Sequence, residues 1–313
     1  MSQVFVTGGS GFIGRALVGR LVREGHHVAA LVRSESAAQT VAGLGAEPVR
    51  GVLTDPTTWQ DAAVGSEVLF HLAAETDIAA ALDRHLLVTV EGTRAAVQAA
   101  RHAGVGTFVH CGSEAALLAG DPLVDVDETA PLQPDSPAAY CATKARAEAI
   151  VLAAGTPEFT TVSIRPRFVW GAGSAVTDGF VAAVRAGAFA WIDGGRHTTD
   201  ITFLDNAVEG LIRGWRQGRT GQAYFVTDRE PVQFRAFMET VFASYGVDTS
   251  TVPDLDGATA ETVVPAPARW FIGQTCTLRT DKAVRELGYG PVVSRAAALA
   301  ALRASRSATT TER

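Results

Sequence analysis

"VFVTGGSGFIG", residues 4–14, decides the fold of this 313-residue chain. An apolar run ends at Thr7, Gly8, Gly11 and Gly14 follow at three-residue spacing, and an amphipathic segment begins at Phe12. A turn this tight needs residues without a Cβ. A phosphate reaches the N–H groups of a helix N-terminus only where no side chain intervenes. Strand, glycine turn and helix in succession therefore read as a dinucleotide cradle, with Gly8, Gly11, Phe12, Ile13 and Gly14 around the pyrophosphate.

Outward from this stretch, "QVFV" (3–6), "HVAALV" (27–32), "EVLFHLA" (67–73) and "TFVHC" (107–111) are apolar on both faces, as buried parallel strands should be, and "PVRGVL" (48–53) is a weaker third strand. "FIGRALVGRLVREG" (12–25) and "VTVEGTRAAVQAARHAG" (88–104) place apolar residues at three- and four-residue spacing and end at glycine, as helices do. The rhythm predicts an α/β fold, a doubly wound parallel sheet, with a dinucleotide-binding domain over 1–170 to which a late strand near 221–228 returns. Residues 171–303 read as a smaller, interleaved C-terminal substrate lobe. Within it, 252–270 mixes Pro, Asp, Gly and Thr without periodicity and reads as a long surface segment or lid. "ASRSATTTER" (304–313) is polar and unpatterned, the composition of a disordered tail.

The formal charge is −6 and no basic run occurs, which argues against nucleic acid or an anionic membrane as partner and for a small molecule. Cys111, Cys141 and Cys276 are far apart and lack metal-ligand spacing, so neither a disulfide framework nor a metal site is expected. No secretory leader pattern and no apolar run of about 18 residues is found, and a cytoplasmic location is the expectation.

The chemistry is written in "AAYCATKARAEAI" (138–150). The chain holds 27 Lys and Arg together, yet only Lys144 and Lys282 are lysines. Lys144 follows Tyr140 by four residues, one helical turn, so both lie on one face. Hydride transfer to a carbonyl needs a proton donor at the developing alkoxide. A tyrosine whose ordinary pKa is about 10 serves better with a cation beside it. A compact ammonium can also donate to a ribose in a geometry that a planar guanidinium does not reproduce. Ser113, at the end of the "TFVHCGS" strand, stands on the sheet edge where open α/β folds hold their ligands. "GGSGF" is no Gly-x-Ser-x-Gly elbow, and no Gly-Lys-Ser/Thr phosphate loop is present.

With these motifs, the chain resembles the extended short-chain dehydrogenase/reductase family, and over "RPRFVWGAGS" (165–174), "TTDITFLDNAVEGL" (198–211) and "GQAYFVTDREPVQFRAFM" (221–238) its 3β-hydroxysteroid dehydrogenase-like branch. The resemblance implies Ser113, Tyr140 and Lys144 as catalytic residues and Asp55 of "GVLTDP" as a partner for adenine. It also places Leu72, Ala73 and Ala74 of "HLAA" along the cofactor, and implies a homodimer through the helix that carries Tyr140. One departure is Thr89, where family members often carry Asn. Arg33 ends the second strand where a carboxylate would grip a ribose hydroxyl, which favours NADP while leaving NAD possible. Glu114, Phe168, Trp170 and Trp191 are the candidate pocket residues. The expected reaction interconverts a secondary alcohol and a ketone on a hydrophobic substrate. A nucleotide-sugar epimerase or dehydratase with tightly held NAD, and a non-catalytic NADP-binding regulatory protein, stand as alternatives.

Overall fold

The computed structural model describes residues 1–311. Its centre is a parallel sheet of β1 (Gln3–Thr7), β2 (His27–Val32), β3 (Glu47–Arg50), β4 (Val68–His71), β5 (Thr107–Cys111), Thr160–Pro166 and Gln222–Val226. The spatial order is Gln222–Val226, Thr160–Pro166, β5, β4, β1, β2, β3. Every pairing is parallel, with Phe5 level with Ala29 on one side and Leu69 on the other. The chain leaves β1 toward β2 and β3, then crosses to β4 and runs the other way. The switch point therefore lies between β1 and β4, where such sheets open a crevice at their C-terminal ends.

Side chains along β1 alternate between two cores, which is why the strand is apolar throughout. Val4 and Val6 join Leu17, Val18 and Leu21 of α1 (Phe12–Arg23) and Leu211 and Trp215 of the helix Leu204–Gln217. Phe5 enters the opposite layer with Trp59, Ala96 and Ala100 of α4 (Gly92–His102) and Val151 of α5 (Ala139–Ala153). Two further α-helices precede α4, α2 (Glu35–Gly43) and the short α3 (Leu82–His85). The helix expected over 88–104 is regular only from Gly92. Before it, Leu86–Glu91 form a π-helical turn in which the Thr89 hydroxyl accepts the backbone N–H of Glu75 at 3.0 Å. A side chain tied to a loop distorts the backbone hydrogen-bond ladder there.

A third core is aromatic: Trp170, Phe189, Trp191, Phe203, Phe234, Phe237 and Phe242 pack together beyond the C-terminal end of the large sheet's last strands. The 252–270 segment is more structured than its composition suggests. Asp256 caps the helix Gly257–Val263 through the N–H of Thr259, and Pro265 precedes the helix Ala266–Ile272. One helix runs Arg295–Thr311, and Arg306 within it meets Asp178 and the Tyr245 hydroxyl. Residues 312–313 lie outside the described residues. No helix among the described residues is long and apolar enough to cross a membrane.

Candidate active site

The glycine turn has the shape its sequence calls for. Gly8 is at φ +75°, and a Cβ on it would stand 2.6 Å from the Ala73 nitrogen. A Cβ on Gly14 would stand 2.1 Å from the Gly8 carbonyl oxygen. The β1–α1 turn thus presses backbone to backbone against Leu72–Ala74 on one side and against the start of α1 on the other. The Gly11 N–H donates to the Gly8 carbonyl at 3.0 Å, and Leu72 donates to the Thr7 carbonyl at 3.0 Å. The first turn of α1 carries no acidic residue. These bare N–H groups at a helix N-terminus fit an anionic pyrophosphate. Arg33 is exposed at the end of β2 and makes no ion pair among the described residues, while Glu35, two residues on, is paired with Arg50. Asp55 is exposed in the turn after β3, its carboxylate accepting the Thr57 hydroxyl at 2.6 Å.

Ser113, Tyr140 and Lys144 come together at the C-terminal end of β5. Ser113 follows that strand and begins a short 3-10 turn, where its Oγ accepts the Ala115 N–H at 3.1 Å. Tyr140 and Lys144 both project from α5. Lys144 is only 4% exposed and its Nζ donates to the Cys111 carbonyl at 2.8 Å. One turn further along α5, the buried Glu148 is paired with Arg165 of the strand Thr160–Pro166, and Ser163 donates to Glu148 at 2.8 Å. This anchor fixes the rotation of α5 and thereby the direction of Tyr140 and Lys144.

The electrostatics differ from the sequence expectation. Tyr140 is not drawn down toward neutrality. Burial and then the Glu114 carboxylate push its pKa above the usual phenol value, and only the Ser113 hydroxyl works against them. Lys144 is lowered by burial, with Cys111, Glu148 and Glu114 opposing. The ammonium is engaged by a backbone carbonyl, and the charge that acts on the tyrosine is Glu114.

Glu114 was expected to line the pocket, and the structure gives its carboxylate other partners. It is 2% exposed, with Oε2 accepting the Ser113 hydroxyl at 2.7 Å and Oε1 accepting Arg167 Nη1 at 2.8 Å. Arg167 also donates to the Phe271 carbonyl at 2.8 Å, and the Phe271 ring lies edge-on to Tyr140 at 6.1 Å. Phe168, next in the chain, adopts φ +41° and stacks on Phe180. A bulky residue in the left-handed region is strained by about 1–3 kcal/mol. Trp170 and Trp191 are each 1% exposed in the aromatic core, and Trp170 donates to Asp228 at 3.1 Å. These two tryptophans build the lobe and leave no face for a ligand, because a wide apolar surface is satisfied soonest by packing.

Two residues escaped the sequence reading. Arg167 stands in an Arg-Pro-Arg run that gives no sign of its burial, and a buried guanidinium is rare enough to be informative once burial is known. His85 on α3 is fully buried beside Tyr140, ring centroids 6.1 Å apart, and neither ring nitrogen has a partner. His71 and His110 serve the fold: burial lowers both, His71 to about 3, and they bond Thr7, Thr93 and Ser163. Lys282 is likewise structural, donating to Gln222 and the Ala223 carbonyl. No group of three potential metal ligands occurs among the described residues.

The chain is similar to known proteins in sequence and in fold. The model of the 3-beta hydroxysteroid dehydrogenase/isomerase family matches residues 5–256. The 4-hydroxy-2-methyl-3-oxo-4-farnesyl-3,4-dihydroquinoline-1-oxide ketoreductase of Stigmatella aurantiaca is 41% identical over 319 residues, covering 96% of each chain. The 2-alkyl-3-oxoalkanoate reductase of Stenotrophomonas maltophilia is 31% identical, covering 98% of this chain and 100% of that one. A dTDP-glucose 4,6-dehydratase from Streptomyces venezuelae, solved with NAD, aligns at a TM-score of 0.80 and 24% identity over 99% of this chain and 98% of its own, a likeness of fold. The chain belongs to the 3-beta hydroxysteroid dehydrogenase/isomerase family, and with it to the dehydrogenases and reductases of the extended short-chain type.

Proposed function

We propose that the protein reduces the ketone of a bulky, apolar 3-oxo or 3-ketosteroid-like substrate, and runs the reverse oxidation, with Tyr140 as acid and base. The observation that carries this reading is the convergence of Ser113, Tyr140 and Lys144 at the end of β5, on the same sheet edge as the glycine turn. Gly8, Gly11, Phe12, Ile13 and Gly14, with Leu72–Ala74, would hold a nicotinamide dinucleotide, and when bound it supplies hydride to the carbonyl carbon. Tyr140 gives its proton to the alkoxide oxygen and recovers one from solvent, so the ketone leaves as an alcohol. Ser113 steadies the reacting oxygen, and Lys144, held at the Cys111 carbonyl, keeps a positive charge beneath the site.

NADP is preferred over NAD in this reading because Arg33 is exposed and unpaired while Glu35 is engaged by Arg50. The two relatives support the substrate class, since both are named as reductases of ketones that carry alkyl or farnesyl groups. Residues 171–303, with their aromatic core, form the substrate side. The exposed Ala149 and Ala153 of α5 suit close packing against a second copy, as in a homodimer.

The test is NADPH and NADH consumption with 3-oxo acyl compounds, 3-ketosteroids and nucleotide sugars. Ketone-dependent NADPH oxidation should be lost by about 10²-fold or more in Tyr140→Phe with cofactor binding retained. Turnover of nucleotide sugars alone, on retained NAD, would overturn the reading.

A further inference from the structure

The helix Ala266–Ile272 is a surface element held in place from the interior. Of its residues only Trp270 is buried, and the preceding helix Gly257–Val263 buries only Ala260. Helices this short, with so little core of their own, are marginal without outside contacts. Arg167 supplies one. Its guanidinium, in a side chain 1% exposed, donates at 2.8 Å to the Phe271 carbonyl, which belongs to the last turn, where a helix leaves its carbonyls without intrahelical partners. The same group donates to Glu114 at 2.8 Å and to the Thr199 hydroxyl at 3.3 Å, and it lies 5.8 Å from the centre of the Phe271 ring. The Arg167 backbone is fixed as well, its N–H donating to the Thr202 hydroxyl at 3.1 Å and its carbonyl accepting that hydroxyl at 2.7 Å. An apolar pair would pack in place of Arg167 and Glu114 at least as well, but it could not hold a carbonyl.

What this tie places is the Phe271 side chain. Its ring meets Tyr140 edge to face, with centroids 6.1 Å apart and planes at 64°. Both residues are only partly buried, and Trp270 packs into the same core beside Leu117, Ala138 and Cys141. Trp170 and Trp191 are enclosed in the aromatic core at 1% exposure, whereas Phe271 keeps part of its surface open next to the proton donor.

We propose that Phe271 is a specificity-determining residue whose ring lies along the apolar chain carried by the reacting carbonyl carbon, and that Arg167 is the positioning residue that holds it there. The inference rests on the ketone-reducing role of Tyr140 proposed above and names the wall against which the ketone is selected. A carbonyl that reaches the Tyr140 hydroxyl brings its substituents up to whatever borders that ring. A long apolar chain gains by covering Phe271, and a methyl group covers little of it. The contact is the same in the bound ketone and in the transition state, so it acts on KM and leaves kcat alone.

Methyl 3-oxobutanoate and methyl 3-oxodecanoate are the probes, since they share the reacting group and differ only in the chain. The readouts are kcat and KM with NADPH, and calorimetric titration of each ketone into the protein loaded with NADP+. Phe271→Ala should raise the KM and Kd of the long-chain ketone about tenfold, leave the short-chain ketone within about twofold, and leave kcat and the KM for NADPH unchanged. Arg167→Met with Glu114→Gln removes both buried charges without stranding either, and should raise the long-chain KM relative to the short-chain one by the same factor. Adding Phe271→Ala to that pair should then change the ratio little further, because the ring has already lost its place. A purely structural Arg167 would lower stability without chain-length selectivity, and its loss would add to that of Phe271. Equal weakening of the two ketones in Phe271→Ala overturns the proposal, as do additive losses in the combined variant. Binding of the long-chain ketone that depends on Phe271 but leads to no reduction would sink the functional reading and leave this one standing. A protein that binds neither ketone refutes both.

Discussion

Replacing Gly14 by alanine tests the dinucleotide cradle directly. The added Cβ would sit 2.1 Å from the Gly8 oxygen and 2.9 Å from both the Gly8 carbonyl carbon and the Gly9 Cα. Non-bonded carbons prefer about 3.5–4.0 Å, so more than about 1 Å must open between the turn and the helix. Gly8 has no room to retreat, because Ala73 blocks its other side. The movement falls on α1, whose Leu17, Val18 and Leu21 are locked in the first core. Overpacking of this kind costs about 1–3 kcal/mol. Displacing the N–H groups by about 1 Å should also weaken NADPH on the order of 10²-fold. Fluorescence titration of NADPH and thermal melting measure both. Gly43→Ala is the matched control, since a Cβ there meets nothing within 4 Å and helix propensity favours alanine. An NADPH affinity within twofold of the unaltered protein, together with an unchanged Tm, would refute the argument.

Three other outcomes are expected. Lys144→Arg keeps the charge but asks a longer, planar group to occupy a site with a 2.8 Å contact to the Cys111 carbonyl. Turnover should fall by about 10²-fold or more while NADPH still binds, and full activity would exclude the role given to the ammonium. Arg33→Ala should weaken NADPH about tenfold or more, the worth of one charge-assisted contact, and leave NADH nearly untouched. Equal losses for the two cofactors would remove Arg33 from the phosphate site. Glu148→Gln strands Arg165 in the interior and should lower unfolding stability in denaturant by about 3–5 kcal/mol, while a loss below about 1 kcal/mol would show that the pair does not anchor α5.

The sheet was legible because parallel strands buried on both faces leave uninterrupted apolar runs, and the observed β1, β2, β4 and β5 match those runs within two residues at either end. The Gly8–Gly14 spacing was legible because backbone contacts of this closeness permit no other residue. What the pattern concealed was local. Thr89 breaks the expected helix through a hydrogen bond to Glu75, 14 residues earlier, and no periodicity encodes such a pairing. The helices at Gly257–Val263 and Ala266–Ile272 are only seven residues each, too short to show a repeat, and they announce themselves only through Asp256 and Pro265.

The reacting groups show the same division between local and long-range information. Tyr140 and Lys144 share a helical turn, so four residues of spacing suffice to pair them. Their electrostatic setting comes from Arg167, 53 residues beyond its partner Glu114, and from Phe271, 104 residues beyond Arg167. A cation four residues away is visible in the sequence, whereas the burial of Tyr140 and the Glu114 carboxylate beside it, which is paired with a guanidinium 53 residues on, are not. The same contact has a mechanical consequence. Arg167 ties Glu114, and through it Ser113, to the carbonyl of Phe271, so the helix Ala266–Ile272 and Ser113 share one hydrogen-bonded chain, and the Phe271 ring borders Tyr140. Any displacement of that helix on substrate entry must pull on the residue that orients Ser113.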